Sequence, residues 1–293
     1  MKRNQSSLTA EGIAMARALE SSKPPDARVC FDPYARQFVR AWLWVLGKAT
    51  MGYATRRSPG VLEFLAARTR FIDDYLQSCI TDGIRQLVIL GAGFDARAYR
   101  FEQLRGQVKV FEVDHPATQR AKIEKIGKIL GAPPEYVTFV PIDFGSETLD
   151  QLFTSGYDKR LKTLFIWEGV TMYIAADAVD ATLAFVAKNS GVGSSIVFDY
   201  IYRGALDGTM KENEVKSMQR WRGVTGEGLV FGIEKGRIED FLAQRGFENI
   251  VNADSDALKK AYFAGANQNA RVVAPVYAIV HADVARGVKE PNS

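Results

Sequence analysis

The sequence predicts an α/β fold in which a mostly parallel sheet carries helices on both faces and follows a helical leader. Three observations carry this reading. From Gln86 onward, short apolar β-branched runs alternate with helical patterns. The first run, QLVIL at Gln86–Leu90, breaks at Gly91-Ala92-Gly93 and leads into a helical pattern, forming a strand–glycine turn–helix unit. Before it, roughly the first quarter of the chain shows helical spacing only.

Taken in order, LTAEGIAMARALE at 8–20 has helical spacing, with Thr9 at a cap position. The paired prolines of SSKPPDA at 21–27 make a loop. Phe31-Asp32-Pro33-Tyr34 opens a second helical run to about Leu46, and Val61–Ile80 is a third, amphipathic one. Strands follow at Gln86–Leu90, Val108–Val113, Val137–Ile142, Thr163–Trp167 and Ser195–Tyr200. Between them lie helices at about 96–103, 116–130, 146–154 and 175–189; Pro116 suits a first helical turn. The polar stretch 201–234, with Tyr202, Arg203, Trp221 and Phe231 interleaved, is too long for a tight connection and reads as a lid. A helix at 235–244 and strands at Phe247–Val251 and Val276–His281 close the pattern. The expected organisation is one domain over 1–293: a helical cap (1–80), a ligand-binding core (81–200), the lid (201–234) and the end of the sheet (235–293).

Composition narrows the function classes. With 293 residues, 47% apolar and 25% charged, the chain is ample for a packed core. A formal charge of +4 with scattered Lys and Arg does not call for nucleic acid. No apolar run approaches a bilayer span, and MKRNQSSLTAEG has no signal-peptide core, so no membrane partner and a cytoplasmic location are expected. Cys30 and Cys79 stand alone, which suggests neither a disulfide framework nor a metal site. Only two histidines occur, His115 and His281, and there is no G-x-S-x-G elbow. His115 is expected to cap the helix after it.

The glycine turn fits G-x-G-x-x-A, which suits a dinucleotide or another adenosine-bearing cofactor. Gly91 and Gly93 let the backbone approach such a ligand closely. The second strand ends in Glu112-Val113-Asp114, where a carboxylate can accept both ribose hydroxyls. The third ends at Asp143-Phe144, an acid suited to a base edge. Asp95, in the first turn of the helix after the glycines, would repel a pyrophosphate there. S-adenosylmethionine instead carries a sulfonium and an ammonium, which acids at Asp95, Asp114 and Asp143 fit better than they fit NAD. In an open parallel sheet, ligands sit beyond the carboxyl ends of the strands, where Gly91, Asp114, Asp143 and Glu168 all fall.

LGAGFDARAYR, VFEVDHP, PIDF and IWEGVTMY, in that order, resemble the leucine carboxyl methyltransferase family. SLTAEGIAMARALES, FDPYA and ARTRFIDDYL are similar to its bacterial branch of polyketide-type O-methyltransferases. The resemblance runs from Ser7 to about Tyr200. It implies a class I methyltransferase (Rossmann-like) fold of seven strands, the last antiparallel, with an N-terminal helical extension and a lid insertion after the fifth strand. It implies S-adenosyl-L-methionine as cofactor, held by the Arg68 guanidinium at its carboxylate, Gly91 at the methionine arm, Asp114 and nearby Glu112 at the ribose, Asp143 and the Phe144 backbone at the adenine, and Glu168 near the methionine end. Arg17 matches a basic position of the family. Glu168, tuned upward, could serve as a base; Tyr200 leads the aromatic candidates for a substrate wall, with Tyr173, Tyr202, Arg203 and Trp221. The implied reaction is O-methylation of a small-molecule carboxylate or hydroxyl, a carboxylate being favoured because it arrives ionised. An NAD-dependent oxidoreductase, or methylation of a protein terminus or RNA, are the alternatives.

Overall fold

A computed structural model describes residues 8–144, 147–210, 228–265 and 271–285. The leader holds α1 (Leu8–Ser21), α2 (Ala35–Phe38), α3 (Ala41–Arg57) and α4 (Val61–Thr81). The core then runs β1 (Gln86–Leu90), α5 (Arg97–Arg100), β2 (Lys109–Asp114), α6 (Pro116–Leu130), β3 (Val137–Pro141), α7 (Gln151–Thr154), β4 (Thr163–Trp167), α8 (Ala176–Lys188) and β5 (Ser195–Ile201). It ends with α9 (Gly204–Asp207), α10 (Ile238–Ala243), β6 (Phe247–Ala253), α11 (Ser255–Tyr262) and β7 (Tyr277–Val284).

The sheet has seven strands in the order β3-β2-β1-β4-β5-β7-β6. The first five pair in parallel, while β7 runs antiparallel between β5 and β6. This is the class I methyltransferase arrangement. The period of two along each strand divides the core. Leu87, Ile89, Val110 and Ile166 face a layer built with α1 and α4, whereas Val88, Leu90, Phe111 and Phe165 face one built with α8 and α10. Strands β1, β4 and β5 are buried throughout, which is why they read as continuous apolar runs.

The helical run expected from Phe31 to Leu46 is two helices. Val39 is extended between them, and the Arg40 amide donates to Glu11 Oε1 at 2.7 Å. A carboxylate from α1 thus takes the amide that a continuous helix would use, and α3 instead runs on to Arg57. The helix expected over 96–103 is one turn, α5, followed by a 3₁₀ turn at Glu102–Leu104. Helix α11 lies outside the sequence expectation; Asp254 caps it by accepting from the Asp256 and Ala257 amides. Of the expected lid, residues 211–227, with Trp221, lie outside the described residues. Among the described residues, no helix is long and apolar enough to cross a membrane.

Candidate active site

The strand order reverses between β1 and β4, and there the loops after the two strands part into a crevice. A cavity of about 590 Å³ opens at this point, over the carboxyl ends of β1, β2, β3 and β4, with α1 and α4 on its other side. Its wall includes Arg68, Gly91, Gly93, Asp95, Asp114, Asp143, Phe144 and Glu168, with Arg17 and His115. Glu112 and Tyr200 are not on it.

The glycine turn is shaped from two sides. Gly91 has φ +67°, and a Cβ there would stand 2.3 Å from Val170 Cγ2, in the loop after β4. The Gly93 amide donates to Asp114 Oδ2 at 2.5 Å, and the His115 amide donates to Oδ1 at 2.6 Å. These bonds fix the plane of the Asp114 carboxylate and leave a further lone pair on each oxygen. Burial pushes the Asp114 carboxyl above its ordinary value, against the pull of the two amides. Behind the turn, Glu112 pairs with buried Lys122 at 2.8 Å, and Lys122 also donates to Ala92 O. The structure therefore moves Glu112 from ribose ligand to support: its side chain lies below the turn, in the core.

Around Glu168 the wall is a chain of buried ion pairs. Glu168 Oε1 stands 2.9 Å from Arg68 NH2, and Oε2 accepts from Arg97 NH1 at 2.6 Å. Arg68 NH1 donates to Asp199 Oδ2 at 2.6 Å, while Asp199 Oδ1 accepts from the Gly169 amide at 2.6 Å. Arg97 reaches in addition Asp95 and, through Nε, Asp73 Oδ1 at 2.7 Å. Burial opposes ionisation of Glu168, but Arg68 and Arg97 outweigh it and hold its carboxyl well below the usual range. A base tuned upward is therefore not what the geometry makes of Glu168. Asp95 is likewise held low, burial being outweighed by Arg97.

Tyr200 is fully buried in the opposite layer, and its hydroxyl bonds Asn252 on β6 at 3.2 Å. It stands apart from the cavity because Asp199, one position earlier, takes the side facing Arg68. Of the other aromatic candidates, Tyr173 lines the cavity and Tyr202 is buried. His115 Nδ1 accepts the Ala117 amide at 3.2 Å, the capping role expected of it. Arg97 and Asp199 were not singled out from the sequence. Asp199 had one signal, an acid inside the apolar run SIVFDYI.

The cavity fits S-adenosylmethionine. Among the described residues, Asp95, Asp114, Asp143 and Glu168 line it with Arg17 and Arg68, and Arg97 pairs with Asp95 and Glu168, so carboxylates and guanidiniums are both on hand for a ligand that carries charges of both signs. Arg68 Nε is buried without a hydrogen-bond partner among the described residues, a donor left over for an anionic group such as the methionine carboxylate. The left-handed turn at Gly91 supplies a close backbone approach.

Sheet order and site together define a class I S-adenosylmethionine-dependent methyltransferase. A profile of the leucine carboxyl methyltransferase family matches residues 10–187. A Mycolicibacterium gilvum protein, named by inference an S-adenosyl-L-methionine-dependent methyltransferase, is 31% identical over 271 residues, covering 86% of this chain and 87% of that one. YktD of Bacillus subtilis, named in the same way, is 27% identical over 292 residues, 92% of this chain and 95% of its own. The fold is shared with a crystal structure of an inferred methyltransferase from Thermobifida fusca, with TM-score 0.61, 13% identity and 96% of each chain covered. The chain belongs to the leucine carboxyl methyltransferase family, and its cofactor is S-adenosyl-L-methionine.

The Gly91 turn yields a test. Gly91→Ala places a side chain in left-handed backbone, at about 1–2 kcal/mol, and drives it into Val170. Expected are a fall in Tm of a few degrees and weaker cofactor binding. Adding Val170→Ala should return part of both; a double variant as impaired as the single one would show that the contact is not the cause.

Proposed function

We propose that this methyltransferase acts on oxygen and that its acceptor is a carboxylate carried by a small, polyketide-like molecule. One observation carries the reading: Glu168, the base candidate of the sequence, and the cavity-lining His115 are both committed elsewhere. Glu168 is locked as an anion between two guanidiniums, and His115 Nδ1 is engaged in a helix cap. A phenol, with a pKa of about 10, would need a base poised near neutrality, whereas a carboxylic acid of pKa about 4 arrives ionised.

When bound, S-adenosylmethionine supplies a methyl group activated by the sulfonium. In this reading the chain's residues bind and align. Asp114 accepts from the ribose hydroxyls, Asp143 and the Phe144 backbone meet the adenine, and the Arg68 Nε–H meets the methionine carboxylate. Glu168 and Asp95 face the cationic end, held in position by Arg97. The remaining catalytic task is alignment of the acceptor oxygen at near-attack distance.

A second reading places the acceptor carboxylate at the C-terminus of a peptide. The profile match to leucine carboxyl methyltransferase favours it. The discriminating assay offers small carboxylic acids, phenols and short peptides with free C-termini, and then treats each methylated product with mild alkali. A methyl ester releases methanol and an aryl methyl ether survives. Alkali-labile product from small acids supports the first reading, and from peptides alone the second. An alkali-stable product from the true acceptor overturns both.

A further inference from the structure

Helix α3 has two apolar faces, and the described residues cover one of them. Leu43 and Trp44 pack against the core, and Gly47 lies so close to Met15 on α1 that a Cβ would overlap the Met15 side chain. On the other side, Trp42, Val45, Leu46, Ala49 and Tyr53 recur at helical spacing and form one stripe. Four of these, Trp42, Val45, Leu46 and Tyr53, leave 51–67% of their surface in water, and Ala49 is exposed as well. Among the described side chains of α3, none is buried. Because the apolar residues occupy opposite faces, sequence periodicity alone does not reveal the stripe; the seat of α3 on α1 does.

The charge around the stripe says what covers it. From Pro33 to Leu62 the sequence holds five cations and no acid; Arg40 is ion-paired with Glu11 of α1 at 2.7 Å, which leaves Arg36, Lys48, Arg56 and Arg57 around the stripe. Cations and aromatic rings are paired along the helix: Arg40 over Trp42 at 5.2 Å, Lys48 over Trp44 at 5.4 Å, and Arg57 over Tyr53 at 5.1 Å. A second copy is a poor occupant, since a two-fold contact of α3 with α3 would bring Lys48, Arg56 and Arg57 of both chains together with no acid on either helix. An anionic lipid surface suits every part. The aliphatic stripe enters the acyl boundary, Trp42 and Tyr53 sit at headgroup depth, and the cations meet lipid phosphates.

We propose that α3 docks this methyltransferase on anionic membrane surfaces, lying on the bilayer without crossing it. The stripe lies on the side of α3 away from α1, and α1 lines the cavity, so docking leaves the site's own contacts in place.

The test is flotation of the full chain with vesicles of phosphatidylcholine alone and of phosphatidylcholine with an equal part of phosphatidylglycerol. Binding to the mixed vesicles only, weakened by salt, is expected. Leu46→Asp should abolish it while Tm and calorimetric cofactor affinity stay unchanged, showing that the fold is intact. Arg56→Gln and Arg57→Gln should each weaken it about fivefold, the share of one basic residue near an anionic surface. Equal binding to both vesicle types, or to neither, overturns the proposal. So does concentration-dependent dimerisation, seen by sedimentation equilibrium and abolished by Leu46→Asp, which would assign the stripe to a second copy.

Discussion

Asp114→Ala is expected to weaken S-adenosylmethionine binding about ten- to hundredfold, the contribution of a charge-assisted hydrogen-bond acceptor. The Gly93 and His115 amides each take one lone pair of this carboxylate, and under the proposed reading a further lone pair on each oxygen accepts from the ribose hydroxyls. Alanine removes both acceptors and also leaves the two amides without their partner. The pH dependence follows from burial, which raises the Asp114 carboxyl above its ordinary value. A carboxyl raised in the folded state contributes stability that is complete below its unfolded pKa and is lost as pH rises through the folded value. The cofactor needs the ionised form, so its affinity should change in the opposite sense, falling as pH drops toward that raised value. The measurement is calorimetric titration of wild type and variant, with cofactor-induced Tm shifts followed from neutral pH downward. Wild type should lose its shift with acid, and Asp114→Ala should show a small, nearly pH-independent one. A folded variant with unchanged affinity would remove Asp114 from the ribose site.

What the sequence disclosed depended on how local its signal was. The β1 and β4 bounds could be read to the residue because a strand buried on both faces is a plain apolar run ended by glycine or acid. Gly91, Asp114, Asp143 and Glu168 could be placed on the cavity wall for the same reason: each lies at or just after a strand end, and strand ends of a parallel sheet converge. The ion pairs behind them were not. Arg68 meets Asp199 across 131 positions and Arg97 meets Glu168 across 71, separations at which no periodicity speaks. Arg97 sits in a stretch that reads as an ordinary helix surface, and only the fold turns it inward. Tyr200 shows the converse limit. The correct strand was identified, but the period of two puts adjacent residues on opposite sides of the sheet, and the side that meets Arg68 belongs to Asp199.

Arg97→Ala should be the more damaging change to the fold itself. The guanidinium is almost wholly buried and ties Asp73, Asp95 and Glu168 together, joining α4, the turn after β1 and the end of β4. Removing it leaves Asp73 with Arg100 and Glu168 with Arg68, but strands Asp95 as a buried anion whose main partner is gone. Breaking a buried ion pair from one side costs about 3–5 kcal/mol, a fall in Tm of roughly ten degrees. Arg97→Lys should recover only part of this, since an ammonium cannot fork toward three carboxylates as a guanidinium does. Acid separates electrostatics from packing. In the wild type, Arg97 holds Asp95 low, and Arg68 together with Arg97 holds Glu168 low, so the network's stability is present above the unfolded carboxyl pKa and is lost as pH falls through the depressed values. Without Arg97 the Asp95 carboxyl rises while Arg68 still holds Glu168, and protonation of Asp95 relieves the variant at a pH where the wild type is unaffected. The Tm difference between the two should therefore be widest near neutrality and narrow as pH is lowered toward 5. A difference that stays constant across that range would mean that Arg97 contributes by filling space, with its charge of no account.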